Sequence, residues 1–255
     1  MSGHSKWKKI KRQKGSADQK KGDTFTKLSQ EITKAAREGG SGDLELNFML
    51  RMVVDKAKEV NMPKDTIERA IDKGIGEGDK GPVESITYEL VGTNGEAILV
   101  DCLTDNRNRT IGEIRKVISN YDFSLGSGGI SWQFKASGRI RVKPYRVEKV
   151  MIKGREEEKL EKLVKDELML EIIDIDGVID VKEEGDEIVV LTEKNDLSKV
   201  YKRIQNNHIK IVEAGIVRLS KNKINLDNES LSKVEELINE LEGLQDTVSV
   251  WDNVN

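Results

Sequence analysis

Arg107 and Arg109 stand two residues apart in the stretch CLTDNRNRT, residues 102–110, where a strand-like run gives way to a helix-like one. Two guanidinium forks at the start of a helix suit phosphate oxygens in a bidentate manner. The helix N-terminus itself supplies unpaired N–H groups and the positive end of a dipole. Thr104, Asn106 and Asn108 add donors to backbone or base edges, so Thr104, Asn106, Arg107, Asn108 and Arg109 form a candidate anion or phosphate site. Thr110-x-x-Glu113 has capping-box spacing and places the helix start at Thr110. The same residues would equally serve as a structural turn, with Asp105 satisfying the loop backbone and the arginines solvated or paired with Asp101 and Glu113.

The second candidate is the leader, MSGHSKWKKIKRQKGSADQKKGDTF. Its first 21 residues carry Lys6, Lys8, Lys9, Lys11, Arg12, Lys14, Lys20 and Lys21 against one acid, Asp18, a charge of +7 in a chain whose net charge is −3. The remaining residues therefore hold about −10, and a basic arm on an acidic body points to a polyanion partner met through the arm. Those cations would neutralise phosphates with little sequence preference, and binding would fall steeply with salt. Trp7 among them could stack on an unpaired base or pin the arm to its own body. The alternative for the lysines is a solvated, disordered tail.

Other chemistry is poorly provided for. Two histidines, His4 and His208, and a single cysteine cannot build a structural zinc site, so no metal or cofactor is expected. Cys102 lies within the apolar run EAILVDCL and reads as inert core rather than as a thiol paired with His208. A lone cysteine fits a reducing cytoplasm. No apolar run approaches the roughly 18 residues of a spanning helix. The leader resembles a signal peptide in charge alone, so export is not expected. No catalytic residue and no small-molecule substrate are assigned.

The elements that would position these residues follow from periodicity. Three amphipathic helices are expected between 22 and 75. The first spans about Thr24–Arg37, with Phe25, Leu28, Ile32 and Ala35 inward, and stops at Gly39-Gly40. The second covers about Leu44–Val60, with Leu46, Leu50, Val53, Ala57 and Val60 in one stripe. The third carries Pro63 in its first turn and ends at Gly74. GIGEGDKGP, residues 74–82, has GxGxxG spacing but precedes a strand, which makes it a hinge rather than a dinucleotide loop.

SITYELVG and EAILVDCLT read as strands turning at Thr93-Asn94-Gly95, followed by a helix over about Thr110–Tyr121. The LGSGG loop, 125–129, reads as a glycine turn. GGISWQF follows as a strand with Ile130, Trp132 and Phe134 alternating inward. Residues 138–219 then give β-α-β-β-α-β, the order of a ferredoxin-like domain, with 155–173 as its first helix through Leu160, Leu163, Val164 and Leu168. A helix over about Glu229–Glu242 and the strand TVSVW supply what the interrupted β-β-α-β unit lacks.

The expected fold class is therefore α+β multidomain, an N-terminal helical bundle followed by two ferredoxin-like α/β domains, one inserted into the other. Its parts are the arm 1–21, the bundle 22–81, an α/β domain from 82–137 plus 216–255, and an inserted domain 138–215.

GHSKW at 3–7, FTKLSQEITKAAREGG at 25–40, NMPKDTIERAI at 61–71, CLTDNRNRT at 102–110 and GGISWQF at 128–134 together resemble the YebC/PmpR family. The mitochondrial translational activator of cytochrome c oxidase is similar. The resemblance spans nearly the whole chain and implies three domains, the last inserted into the second. It also implies a regulator of gene expression, either a transcriptional regulator on promoter DNA or a translation factor on the ribosome and its RNA. The chain departs from the family pattern at VRLSKNKINL and at GLQDTVSVW. The function expected is a non-enzymatic, cytoplasmic nucleic-acid-binding regulator, with RNA on the ribosome ahead of promoter DNA.

Overall fold

Three helices open the described chain: α1 (Ala17–Gly39), α2 (Phe48–Glu59) and α3 (Lys64–Ile75). The structure, a computed structural model, describes residues 17–76, 83–126, 128–152 and 155–255, and leaves aside the side chains of 17–23, 149 and 151–158. The described residues divide into two compact units, those up to Phe134 with 220–255, and those of 135–219.

The helices share one core, built on Leu28 and Ile32 of α1, Leu50 and Ala57 of α2, and Ile67 and Ala70 of α3. Each large aliphatic side chain buried there contributes about 1.5–3 kcal/mol. Helix α2 begins later than its apolar stripe suggests. Asn47 caps it by accepting the Leu50 N–H at 3.1 Å, while its amide donates to the carbonyls of Ala35 at 2.8 Å and Ser41 at 3.0 Å. Leu46 therefore lies outside the helix and is 79% exposed, and Val60 is exposed past the other end. The buried position between Leu50 and Ala57 is Val54, with Val53 only packed at the margin.

Gly74 does not end α3. It is buried inside the helix, where a Cβ would lie 2.6 Å from the Thr33 carbonyl of α1. Gly74 thus lets two helices approach closely, and Gly76, at φ 88°, provides the left-handed cap. Of the hinge motif, residues 77–82 lie outside the described residues.

Strands β1 (Glu84–Gly92), β2 (Ala97–Thr104) and β3 (Phe123–Leu125) come next, with α4 (Arg107–Ile118) between β2 and β3. With β9 (Thr247–Asp252) they make an antiparallel sheet in the order β3-β1-β2-β9. The β1–β2 turn holds Gly95 at φ 89°. Every residue of β2 is buried, because both faces of this central strand are covered. Ile98, Val100 and Cys102 face a core shared with α4 and with α7 (Asn228–Gly243). Ala97 and Leu99 face the other way, towards Phe134 and Trp251.

Asp101 is buried on that second face. Its carboxylate accepts from the Thr87 hydroxyl at 2.6 Å and the Trp251 indole N–H at 2.9 Å, and lies 3.6 Å from Lys34 Nζ of α1. A buried carboxylate needs such partners, and here they tie helix α1 to the sheet.

GGISWQF is not an inward-alternating strand. Ser131–Gln133 form a 3-10 turn, β4 begins only at Phe134, and Trp132 is 63% exposed. The reason lies on β1, where the Glu89 carboxylate accepts the Ile130 N–H at 2.9 Å and also bonds the Ser131 hydroxyl. The sheet's third strand is Phe123–Leu125 instead, too short to show a period.

In the second unit, β4 (Phe134–Ile152), β5 (Arg155–Lys162), β6 (Val178–Glu184), β7 (Glu187–Glu193) and β8 (Ile209–Ser220) form one sheet, with α5 (Lys165–Ile173) and α6 (Leu197–Asn206). The order is β5-β4-β7-β6, with β8 also pairing β4. Ile140 and Val142 of β4, Ile188 and Val190 of β7, and Ile172 and Ile204 of the helices are fully buried. Arg139 and Arg141 alternate with that core pair. Arg141 bonds Glu187 at 2.7 Å, and burial pulls Arg139 below the ordinary arginine range despite Glu213.

The single helix expected over 155–173 is a strand and a helix. Residues 155–162 pair antiparallel with β4, from Ile152↔Arg155 to Tyr145↔Lys162. Leu160 and Val164 are exposed and only Leu168 is buried as expected. Glu, Lys and Leu favour a helix intrinsically, but ladder pairing with a neighbouring strand overrides that weak preference.

Asp252 at the end of β9 gives a prediction. Burial raises its carboxyl to about 6, against the opposing pull of the Val254 N–H and Lys223, with Glu242 adding to the rise. A carboxylate raised above its ordinary 3.8 costs stability when ionised, and that cost disappears as pH falls through 6 towards 3.8. Asp252→Asn should therefore raise the melting temperature at pH 8, by about 1 kcal/mol of stability after allowing for solvent screening. At pH 5 the gain should be clearly smaller. A gain that is equal at the two pH values, or a loss at pH 8, contradicts the assignment.

Candidate nucleic-acid interface

The strand-to-helix loop that opens α4 is where the candidate anion residues come together. Helix α4 starts at Arg107, not Thr110, because Asn106 is the cap, its side-chain oxygen accepting the Arg109 N–H at 3.1 Å. Thr110 lies in the first turn, 1% exposed, and Glu113 has no part in capping.

A carboxylate from the far end of the chain fills the centre of this loop. Asp246, in the turn before β9, is buried. Arg109 grips it with Nη2 2.7 and 2.9 Å from its two oxygens, and reaches Asp105 at 2.9 Å with the same nitrogen. The hydroxyls of Thr104 and Thr110 lie 2.9 and 2.7 Å from Asp246 Oδ2. The Thr104 oxygen also accepts the Asn106 N–H at 2.9 Å. Burial alone would raise Asp246, but the bonds from Thr110, Arg109 and Thr104 and the Arg109 charge hold it below the ordinary carboxylate range. The Asp246 carboxylate, with Asp105, in turn raises Arg109 above its ordinary value. The anion at this helix N-terminus is thus supplied by the protein itself.

The five candidate residues therefore separate. Thr104, Asn106 and Arg109 converge on internal partners. Arg107 points its guanidinium at Glu84, is 70% exposed, and leaves its charge at the surface. Asn108 is exposed, and its side chain makes no hydrogen bond among the described residues. The arginine partners are Glu84, Asp105 and Asp246 rather than Asp101 and Glu113.

Of the arm, Lys6, Trp7, Lys8, Lys9, Lys11, Arg12 and Lys14 lie outside the described residues. Lys20 and Lys21 fall in the first turns of α1, and their side chains are outside the description too.

Two residues that organise this region escape any reading of local spacing. Asp246 is 137 positions from Arg109, and the only sequence signal was that GLQDTVSVW departs from the family pattern. Glu89 sits in an ordinary alternating strand, 41 positions from the Ile130 N–H it holds. Burial opposes its ionisation, but the bonds from Ile130, Ser131 and Gly129 keep it below the ordinary value.

An open cleft of about 310 Å³ lies beside Thr87, Tyr88, Ile111, Arg115, Gly126 and Gly128. Arg115 has no ion-pair partner among the described residues. Cys102 is buried, and burial, despite the Thr247 hydroxyl, pushes its thiol up to about 12, so no thiolate forms near neutrality. Cys102 and His208 belong to different units. No group of His, Cys, Asp and Glu among the described residues could hold a metal ion, and no described helix is long and apolar enough to cross a membrane.

A helical N-terminal part leading into two sheet-rich parts, with the 102–110 loop closed by internal ion pairs, defines a mixed α/β protein. The chain belongs to the TACO1/YebC family: residues 5–77 match the "TACO1/YebC protein N-terminal domain" and residues 83–254 the "TACO1/YebC second and third domain". A relative from Thermoanaerobacter pseudethanolicus, named a "Probable transcriptional regulatory protein", is 42% identical over 255 residues, covering 100% of this chain and 97% of that one. One of the same name from Syntrophomonas wolfei is 40% identical, covering 100% and 96%. The crystal structure of a conserved hypothetical protein from Aquifex aeolicus superposes with a TM-score of 0.81 at 32% identity, covering 98% of this chain and 96% of that one.

Proposed function

We propose that this chain is a non-enzymatic, cytoplasmic regulator of gene expression that binds RNA on the ribosome. The basic arm 1–21 carries most of the affinity, and the exposed Arg107 and Asn108 of the 102–110 loop add to it. The observation that carries this reading is charge segregation, +7 in the arm against about −10 in the rest. A compact acidic body repels a long duplex, whereas a basic arm can thread between RNA strands while the body faces outward. On this reading the helical bundle anchors the arm, and 138–215 is a ferredoxin-like module inserted into the domain formed by 82–137 and 216–255.

The second reading is a DNA-binding transcriptional regulator acting at promoters, favoured by the names of the relatives. Competition separates the two. Structured ribosomal RNA should displace a bound single-stranded RNA probe at concentrations well below those required of promoter duplex DNA. Sequence-selective protection of a promoter, with weak RNA competition, would favour the second reading and overturn the first.

A further inference from the structure

Trp132 is the most conspicuous side chain left without a task. An indole is among the costliest groups to leave in water, yet Trp132 is 63% exposed while its neighbour Phe134 is 7% exposed in the core. Its backbone is not loose. On one side the Glu89 carboxylate holds the Ile130 N–H and the Ser131 hydroxyl. On the other, the Gln133 carbonyl accepts the Lys221 N–H at 2.7 Å, and the Gln133 N–H bonds the Ile130 carbonyl at 2.9 Å. Gly128 and Gly129, at φ 92° and 120°, bring the chain into this turn in a conformation that favours glycine. Trp132 is thus mounted on a turn clamped at both ends, and the second clamp places the backbone of an exposed lysine, Lys221, beside it. Lys221 has no ion-pair partner among the described residues.

We propose that Trp132 is a stacking platform for an unpaired nucleobase, with Lys221 meeting the adjoining phosphate. The proposal rests on the nucleic-acid-binding reading above and adds a site within the folded body, separate from the arm. A flat aromatic ring on a held turn, with a lysine bonded through its backbone to the next residue, suits single-stranded RNA, because every base offers a π-face and every linkage a charge. A duplex keeps the charge but not the free π-faces, since its bases are already stacked.

The test uses the full chain labelled with 5-fluorotryptophan and a twelve-residue oligoadenylate, against the same oligomer with abasic positions. The fluorine resonance that Trp132→Phe removes should shift as oligoadenylate is added and stay still with the abasic oligomer. Trp132→Ala should weaken oligoadenylate binding about 5- to 100-fold. Trp132→Phe should recover most of that loss, and neither change should alter the salt slope. Lys221→Gln should lower that slope by about 0.7. If the native chain binds oligoadenylate in a salt-dependent way but Trp132→Ala binds equally well and the resonance is unmoved, this inference alone falls. If the native chain binds no RNA at all, the underlying reading falls with it.

Discussion

Asp246→Ala is expected to lower the melting temperature by about 6–12 °C at neutral pH, the equivalent of about 3 kcal/mol. The side chain is 7% exposed and is the common acceptor for Arg109, Thr104 and Thr110. Removing it takes the shared acceptor from two buried hydroxyls and leaves the Arg109 guanidinium with Asp105 alone, which costs more than the pair itself contributes. Its folded-state carboxyl is held below the ordinary 3.8, so its contribution is present above that value and is lost as pH falls beneath it. The penalty of the substitution should therefore be constant from pH 6 to 8 and shrink only in acid. Arg109→Ala should share much of the loss, and a double-mutant cycle should show strong coupling between the two positions. Arg107→Ala should shift the melting temperature little, because the Arg107–Glu84 pair is exposed. Equal, small effects at Asp246 and Arg107 would show that the buried cluster does not hold the loop.

Deletion of residues 1–21 should reduce affinity for single-stranded RNA by about three orders of magnitude near physiological salt, and lower the log–log salt slope by about 5. Eight cations leave with that segment, and the remaining chain carries about −10. Its melting temperature should change little. A truncated chain with the native slope would place the phosphate contacts elsewhere.

Much of this molecule can be read from its residues. Leu28 and Ile32, and Leu50 and Ala57, keep helical spacing and are buried as that spacing implies. The all-apolar run of β2 is buried throughout, and Gly95 turns the first hairpin. Failures occur where a long-range partner decides. Residues 155–162 have helix-forming side chains, but β4 offers them a ladder. Gly74 resembles a helix stop, yet the crowding that requires glycine comes from Thr33 on another helix. Trp132 fits an inward alternation, and a carboxylate on β1 breaks it. For the 102–110 loop, the residue types suit an anion at a helix N-terminus and a structural turn equally well. That Asp246 fills this position depends on chain closure over 137 positions, which no local pattern encodes. The charge asymmetry of the arm needs no such closure and is visible in the composition alone.

On the proposed reading, the basic arm brings this protein to ribosomal RNA. Sedimentation of cell extract through sucrose, with the native chain and with residues 1–21 removed, tests it most directly. The native chain should migrate with ribosomal particles at low salt, higher salt should release it, and the truncated chain should stay at the top of the gradient. Free native protein at low salt, or a truncated chain that still migrates with ribosomes, would contradict it.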